Sequence, residues 1–431
     1  MNMPSIRFVR DQFAVSLRAL RYRNFRLYFF GQGVSMIGTF MQQTALQWVV
    51  YQLTGSPLML GLIAFAGQFP VLLLGPISGA FSDRVNRHRL IIATQIFAAC
   101  QAVALAILTF TGLVQVWHLF TLSLALGLIS AFDIPSRQAF IFQTVDLKDD
   151  IGNAVALQSS IVNIARMIGP AAAGLLIKWF PDAGLCFLIN ALSFIAVIIS
   201  LLMMRVKKHV PRDNPPPLLA DLKDGFRYVF GFGPTRAIIL TVSLGSVSAM
   251  TFTILMPVYA KDVFHGGPAI YGNLQAAAGL GALIGAIYLA GRRNVLGLSR
   301  VIAAGGLLLG LGMIAFAFSP NPSLAMILRL IACAGQVMLL ASCNTMLQTI
   351  ADEQYRGRVM SFHTMAFAGM MPVGAMIGGS LAEPAWLGPH AALATMGALC
   401  ILGCFAFLAY RPVMRRQLRP IYQRLGILPT Q

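Results

Sequence analysis

Lysine and arginine occur in this chain almost only in short gaps between long runs that carry no charge. From Leu27 to Ser82 no residue is Asp, Glu, Lys or Arg. Comparable runs cover Ile91 to Phe132, Ala237 to Ala260, Val263 to Gly291, Val301 to Leu328, Val359 to Ala382 and Pro384 to Tyr410. A hydrocarbon slab about 30 Å thick is crossed by ~20 apolar residues of helix. Only such a slab accounts for this much uncharged length in a chain that is 57% hydrophobic and 11% charged. Twelve spans are expected, at 27–51, 57–80, 89–111, 115–140, 153–179, 183–204, 237–260, 268–291, 301–318, 322–350, 359–382 and 388–410. The expected fold class is all-α integral membrane, with twelve transmembrane helices and the lipid bilayer as its surroundings.

Threading these spans sorts all but four of the 32 basic residues to one side, the exceptions being Lys178, Lys261, Arg166 and Arg329. Basic residues stay in the cytoplasm because translocating them is disfavoured, so both termini are expected there. The net charge of +18 follows from the same rule and gives no reason to expect nucleic acid. The basic flank before the first span reads as an uncleaved anchor rather than a signal peptide. Cys100, Cys186, Cys333, Cys343, Cys400 and Cys404 all fall inside spans, without zinc-ligand spacing. They read as small buried side chains, and no metal or cofactor is expected.

Five segments are expected: a basic arm at 1–26, a six-helix bundle at 27–204, a linker at 205–236, a second bundle at 237–410 and a basic tail at 411–431. Pro211 and Pro215 to Pro217 prevent the linker from continuing a helix. Leu218, Leu222, Phe226 and Val229 recur beyond them at helical spacing, predicting an amphipathic surface helix. Phe13, Leu17 and Leu20 suggest the same before the first span. The halves share sequence at a constant offset of 205 residues. Gln143, Thr144, Gly152, Gly169 and Gly174 match Gln348, Thr349, Gly357, Gly374 and Gly379. A duplicated bundle suits alternating access, in which two halves rock about a site near the bilayer midplane.

The loop after the second span reads Gly79, Ala80, Phe81, Ser82, Asp83, Arg84, Val85, Asn86, Arg87, His88, Arg89. An acid with a basic fork at helix ends can latch two halves in one state and release them in another. The loop resembles the major facilitator superfamily signature Gly-x-x-x-Asp-Arg-x-Gly-Arg, with Gly79, Asp83, Arg84 and Arg87 on its positions. Asn86 replaces the second glycine, as a residue that tolerates left-handed backbone. The resemblance implies a major facilitator fold of two pseudo-symmetric six-helix bundles. It also implies a gating network that extends to Asp133 and Arg137 on the fourth span. The equivalent loop of the second half keeps Gly285, Arg292 and Arg293 but has no Asp.

Ala165, Gly169, Pro170, Ala173 and Gly174 on the fifth span resemble the helix 5 motif of exporters in that superfamily, with alanine at two glycine positions. Small-residue packing explains the same run. The stretch from Asn24 to Leu60, with its Leu53-Thr54-Gly55-Ser56 turn, and the run Arg356 to Ser361 are similar to the transmembrane secretion effectors. That branch includes enterobactin-type siderophore exporters and macrolide efflux pumps.

Polar residues within the spans are candidates for a substrate cavity. Gln32, Ser35, Thr39, Gln43 and Gln47 form one face of the first span, readable as a cavity wall or as interhelical hydrogen bonding. Asn163, Ser243, Ser246, Gln336 and Asn344 are further candidates. Arg166, ~20 Å into the fifth span, reads as an anion contact, a modulator of a neighbouring carboxylate or a buried packing ion. Arg329 is expected to snorkel near the outer end of its span. Asp133 is the best-placed carboxylate for proton coupling, although its position favours gating.

No Gly-Lys pair exists from which to build an ATPase phosphate loop. His118, His265, His363 and His390 are scattered, which argues against a membrane-embedded enzyme. A non-transporting receptor would carry an appended domain. The expected function is a monomeric, non-enzymatic secondary transporter of a bacterial inner membrane. It exports a small hydrophobic, drug-like or siderophore-like molecule in exchange for protons, with uptake by the same fold as the alternative.

Overall fold

The computed structural model describes residues 18–180, 182–206, 226–292, 295–353 and 355–427. Twelve long helices run through them. The first six are α1 (Arg23–Thr54), α2 (Pro57–Arg84), α3 (Arg87–Phe110), α4 (Val116–Phe140), α5 (Ile151–Trp179) and α6 (Gly184–Leu202). The second six are α7 (Gly233–Val263), α8 (Pro268–Ala290), α9 (Leu298–Ala317), α10 (Pro322–Ile350), α11 (Arg356–Leu381) and α12 (Gly388–Arg424). Eleven helices are long and apolar enough to cross a membrane by composition alone. The exception is α1, 32 residues long, whose polar content lowers its hydropathy.

Local chemistry sets the reversals between helices. Gly55, at φ 59°, ends α1 in the left-handed conformation that glycine adopts without cost. Ser56 then caps α2 by accepting from Met59 N, with Pro57 in the first turn. The same device recurs at α10, where Asn321 accepts from Leu324 N and Pro322 follows. Asn86 does not enter the left-handed region: at φ −66° it is the N-cap of α3, accepting from Arg89 N. Its role is to start a helix.

Two elements run past their expected bounds. α12 continues through the expected basic tail to Arg424, where Met414 and Leu418 are buried in the same apolar cluster as Val229. α7 reaches Val263 through a π-helical turn, Tyr259–Val263, which carries Lys261 and Asp262. A second π turn, Met365–Gly369, interrupts α11. The linker's expected amphipathic helix lies outside the described residues as far as position 225; residues 226–231 are helical. Phe13 and Leu17 also lie outside them. Leu20 is in a 3₁₀ turn, Arg18–Arg21.

The helices form two bundles whose neighbour relations repeat. α1 packs on α5 and α6, α2 on α4, and α3 on α4 and α6. Six helices later, α7 packs on α11 and α12, α8 on α10, and α9 on α10 and α12. Between bundles the main contacts are α2 with α11 and α5 with α8, which exchange under the same repeat. The duplicated glycines make matching contacts. A Cβ on Gly174 would lie 2.8 Å from Gly272 Cα on α8, and one on Gly379 would lie 3.1 Å from Gly61 Cα on α2. Gly169 abuts Ile37 O on α1, and Gly374 abuts Val247 O on α7. Small residues thus let backbones touch where no hydrophobic force separates protein from lipid.

With twelve helices, both described ends of the chain lie at one face of the bundle, here the terminal face. The α1–α2, α7–α8 and α11–α12 turns lie at the far face.

Candidate functional site: a central cavity and its two ends

A cavity of about 460 Å³ lies between the bundles, lined by both. Its apolar wall includes Phe40, Leu60, Ile63, Met250 and Met371, and its amides are Gln43, Gln47, Gln68, Gln275 and Gln336. Gln43 and Gln47 are one turn apart on α1, so both face the cavity. Along α4 the lining runs from Ser123 to Ile134, ~16 Å at 1.5 Å per residue, in the direction of the terminal face.

Two arginines line this space, one from each bundle. Arg166 is at the midpoint of α5, with its guanidinium 5.7 Å from the Phe40 ring centre. It makes no hydrogen bond or ion pair with the described residues, and it is exposed to the cavity. Arg329 does not snorkel. It is 1% exposed, and its Nε donates to Leu274 O at 3.1 Å. Its two terminal nitrogens donate to Phe252 O at 3.2 Å and Gln275 Oε1 at 2.5 Å. The guanidinium also stacks 4.6 Å from the Phe252 ring centre. Inward orientation trades water for carbonyl oxygens, which solvate the cation without neutralising it.

At the far face the bundles are joined by polar bonds. The Tyr51 hydroxyl on α1 donates to Asp262 on α7, and Lys261 Nζ lies 5.3 Å from the Tyr51 ring centre. Tyr271 on α8 donates to Gln47 Oε1 at 2.5 Å and stacks on Trp48 at 5.9 Å. Glu383, between α11 and α12, accepts from the Ser56 hydroxyl and from Leu58 N at 2.9 Å. Its carboxylate therefore meets the N-terminus of α2, where unpaired N–H groups favour an anion. Sequence reasoning singled out none of Asp262, Tyr51, Tyr271 and Glu383. The available signal was acids at span ends on a side otherwise poor in charge.

At the terminal face the carboxylate network lies within the first bundle. Asp133 is 4% exposed and pairs with Arg137 at 2.5 Å, one turn along α4. It also accepts from Thr94 Oγ1 at 2.8 Å and Gln95 Nε2 at 2.9 Å on α3. Arg137 donates in turn to Gln32 Oε1 on α1 at 2.7 Å. Three helices are thereby tied at one level. The side chains of Gly79, Asp83 and Arg84 fall outside the described part of the structure; Arg87 opens α3. Each bundle also fixes its entry segment: Arg21 and Tyr22 donate to Asp150 before α5, at 2.6 and 2.8 Å, and Tyr228 bonds Asp352 before α11 at 3.0 Å.

The expected cavity residues divide accordingly. Gln43, Arg166 and Gln336 line the cavity. Gln32 is fully buried in the Asp133 network, Ser35 and Ser246 are buried, and Thr39 donates to Ser35 O. Asn163 and Asn344 are outside the lining, Asn344 accepting from Gln348 at 3.2 Å. Of the helix 5 motif, Pro170 lines the cavity, whereas Gly169 packs on α1 and Gly174 on α8. Among the described residues no three His, Cys, Asp or Glu come together to hold a metal ion.

Solved structures share this architecture. A bacterial homolog of the human lysosomal transporter Spinster, in an inward-facing and unoccupied conformation, superposes with a TM-score of 0.69 at 16% identity, covering 90% of this chain and 97% of the other. A POT family transporter in complex with a thioalcohol-conjugated peptide reaches 0.73 at 15% identity over 91% of this chain and 96% of its own. At such identities the likeness shows the major facilitator fold alone. In sequence, the chain is 27% identical to the staphyloferrin A transporter of Staphylococcus aureus, over 88% of this chain and 95% of that one. It is 26% identical to the multidrug efflux pump Tap of Mycolicibacterium fortuitum, over 83% and 87%. It is 23% identical to macrolide efflux protein A of Streptococcus pyogenes, over 84% and 91%. Transport across a membrane is common to all three names. The profile of the transmembrane secretion effectors matches residues 14–420, and the chain belongs to that family of the major facilitator superfamily.

Proposed function

We propose that this protein is a secondary active exporter of a bacterial inner membrane, with both termini in the cytoplasm, that drives a small molecule outward by alternating access in exchange for protons. The observation that carries this reading is a cavity between two repeated bundles, roofed at the far face by Tyr51–Asp262, Tyr271–Gln47 and Glu383–Ser56 and extending toward the terminal face. The basic residues gathered at the terminal face support a cytoplasmic assignment for it. The conformation is then inward-facing, as in the unoccupied Spinster homolog. The names of the relatives support export of siderophores or drug-like compounds.

Proton coupling has a physical candidate at the far face. Asp262 and Glu383 hold the bundles together by accepting hydrogen bonds, from Tyr51 and from Ser56 and Leu58 N respectively. Protonation removes the charge that strengthens such bonds, so an acidic exterior favours opening outward. The Asp133–Arg137 pair, with its carboxylate buried, is a structural tie in this scheme. Everted membrane vesicles supplied with a proton gradient test the reading: they accumulate substrate, and a protonophore abolishes accumulation. Accumulation insensitive to the protonophore removes the coupling, and none for siderophores, macrolides or dyes removes export.

A further inference from the structure

Among its described lining residues the central cavity holds two permanent cations and no compensating acid. Among the residues that line it, Arg166 and Arg329 are charged, and none is Asp, Glu, Lys or His. Guanidinium stays protonated at any physiological pH, so the site cannot discharge itself. Arg329 is solvated by two backbone carbonyls and the Gln275 amide, all neutral. Arg166 has the Phe40 face on one side and the open cavity on another. In a low-dielectric surround an unneutralised cation attracts an anion far more strongly than in water, and repels a second cation equally.

We propose that the transported molecule is an organic anion whose acidic oxygen groups pair with Arg166, under the field of Arg329. The inference rests on the transport reading above and names its substrate class. The two cations belong to different bundles. Gly279 on α8 touches Met167 and the Arg166 carbonyl, and Gln275, one turn farther toward the far face, holds Arg329. An extended anion therefore spans from one bundle to the other, which is what a ligand must do to bias their relative position. The five cavity amides supply donors for further carboxylate or phenolate oxygens. A cationic drug would meet two guanidiniums here without a carboxylate to receive it.

Carboxyfluorescein and rhodamine 123 share a xanthene scaffold and differ in charge sign, so their binding to purified full-length protein in zwitterionic nanodiscs, read by fluorescence anisotropy, isolates charge from shape. The expected result is saturable carboxyfluorescein binding, tighter than rhodamine 123 by ~10-fold or more, the ratio that one charge-assisted hydrogen bond supplies. Arg166→Gln removes most of that preference and Arg166→Lys keeps part of it, while the melting temperature of both variants stays near that of the parent. Equal or tighter rhodamine binding, no saturable carboxyfluorescein binding, or an unchanged preference in Arg166→Gln overturns the proposal. So does loss of carboxyfluorescein on replacing gluconate with chloride at constant ionic strength, which would mark a simple halide site. Because binding is read without a gradient, these outcomes stand apart from failure of the vesicle accumulation that tests transport.

Discussion

The two ends of the bundle interface use carboxylates differently. At the far face Asp262 and Glu383 accept bonds from the opposite bundle, beside the close packing of α2 on α11. At the terminal face Asp133 is surrounded by donors from its own bundle and ties α1, α3 and α4 together through Arg137 and Gln32. A link between moving bodies must break in each cycle, whereas a link within a body must not. Partly exposed hydrogen bonds suit the first task, and an ion pair whose carboxylate is buried among donors suits the second.

The largest effect is expected where a rigid tie is cut. Asp133→Ala leaves the half-buried Arg137 without its carboxylate and strips acceptors from Thr94 and Gln95, a loss of ~2–3 kcal/mol. Thermal melting in detergent checks it: a clear drop is expected, and an unchanged melting temperature would show that the pair is no tie. Next comes obstruction of the far-face seam. A Cβ at Gly61 would overlap the Ala375 carbonyl, so Gly61→Ala costs the closed state ~1–3 kcal/mol by overpacking. Labelling of single cysteines at the far face should rise ~5-fold or more, with transport impaired; parental labelling would show that the seam is not tight.

A smaller change is expected from Glu383→Gln, which keeps shape but weakens two charge-assisted bonds by ~1–2 kcal/mol. Far-face labelling should rise and lose part of its dependence on external pH. If pH dependence stays whole, Glu383 is not a sensor. The smallest effect concerns a duplicated pair with room for a side chain: a Cβ on Gly152 or Gly357 would meet no neighbouring element within 4 Å. Gly152→Ala should leave transport unchanged and raise stability by up to ~1 kcal/mol, in contrast to Gly61. Loss of flux would assign that glycine a role in motion.

The helices were legible because charge and apolar length act locally, residue by residue. The repeat was legible too, and Gly174 with Gly379 makes equivalent cross-bundle contacts through it. Partner identity was harder to read. Gln32 and Gln43 share a face of α1, yet one meets Arg137 of α4 and the other lines the cavity. Arg329 was expected in headgroups, and three acceptors supplied by α7 and α8 turn it inward instead. Tyr51 and Asp262 are more than 200 positions apart, and no local pattern in either segment announces their bond. α12 outran its apolar span because Met414 and Leu418 join a buried apolar cluster that the second bundle provides.

The account stands on two bundles that rock as bodies, closing one end as the other opens. Spin labels at Leu113 and Phe318, exposed at the far face, and at Leu147 and Glu353, exposed at the terminal face, report both separations by double electron–electron resonance. On acidification in nanodiscs the far-face distance should lengthen while the terminal-face distance shortens. Distances that stay fixed, or that grow together, would contradict the mechanism.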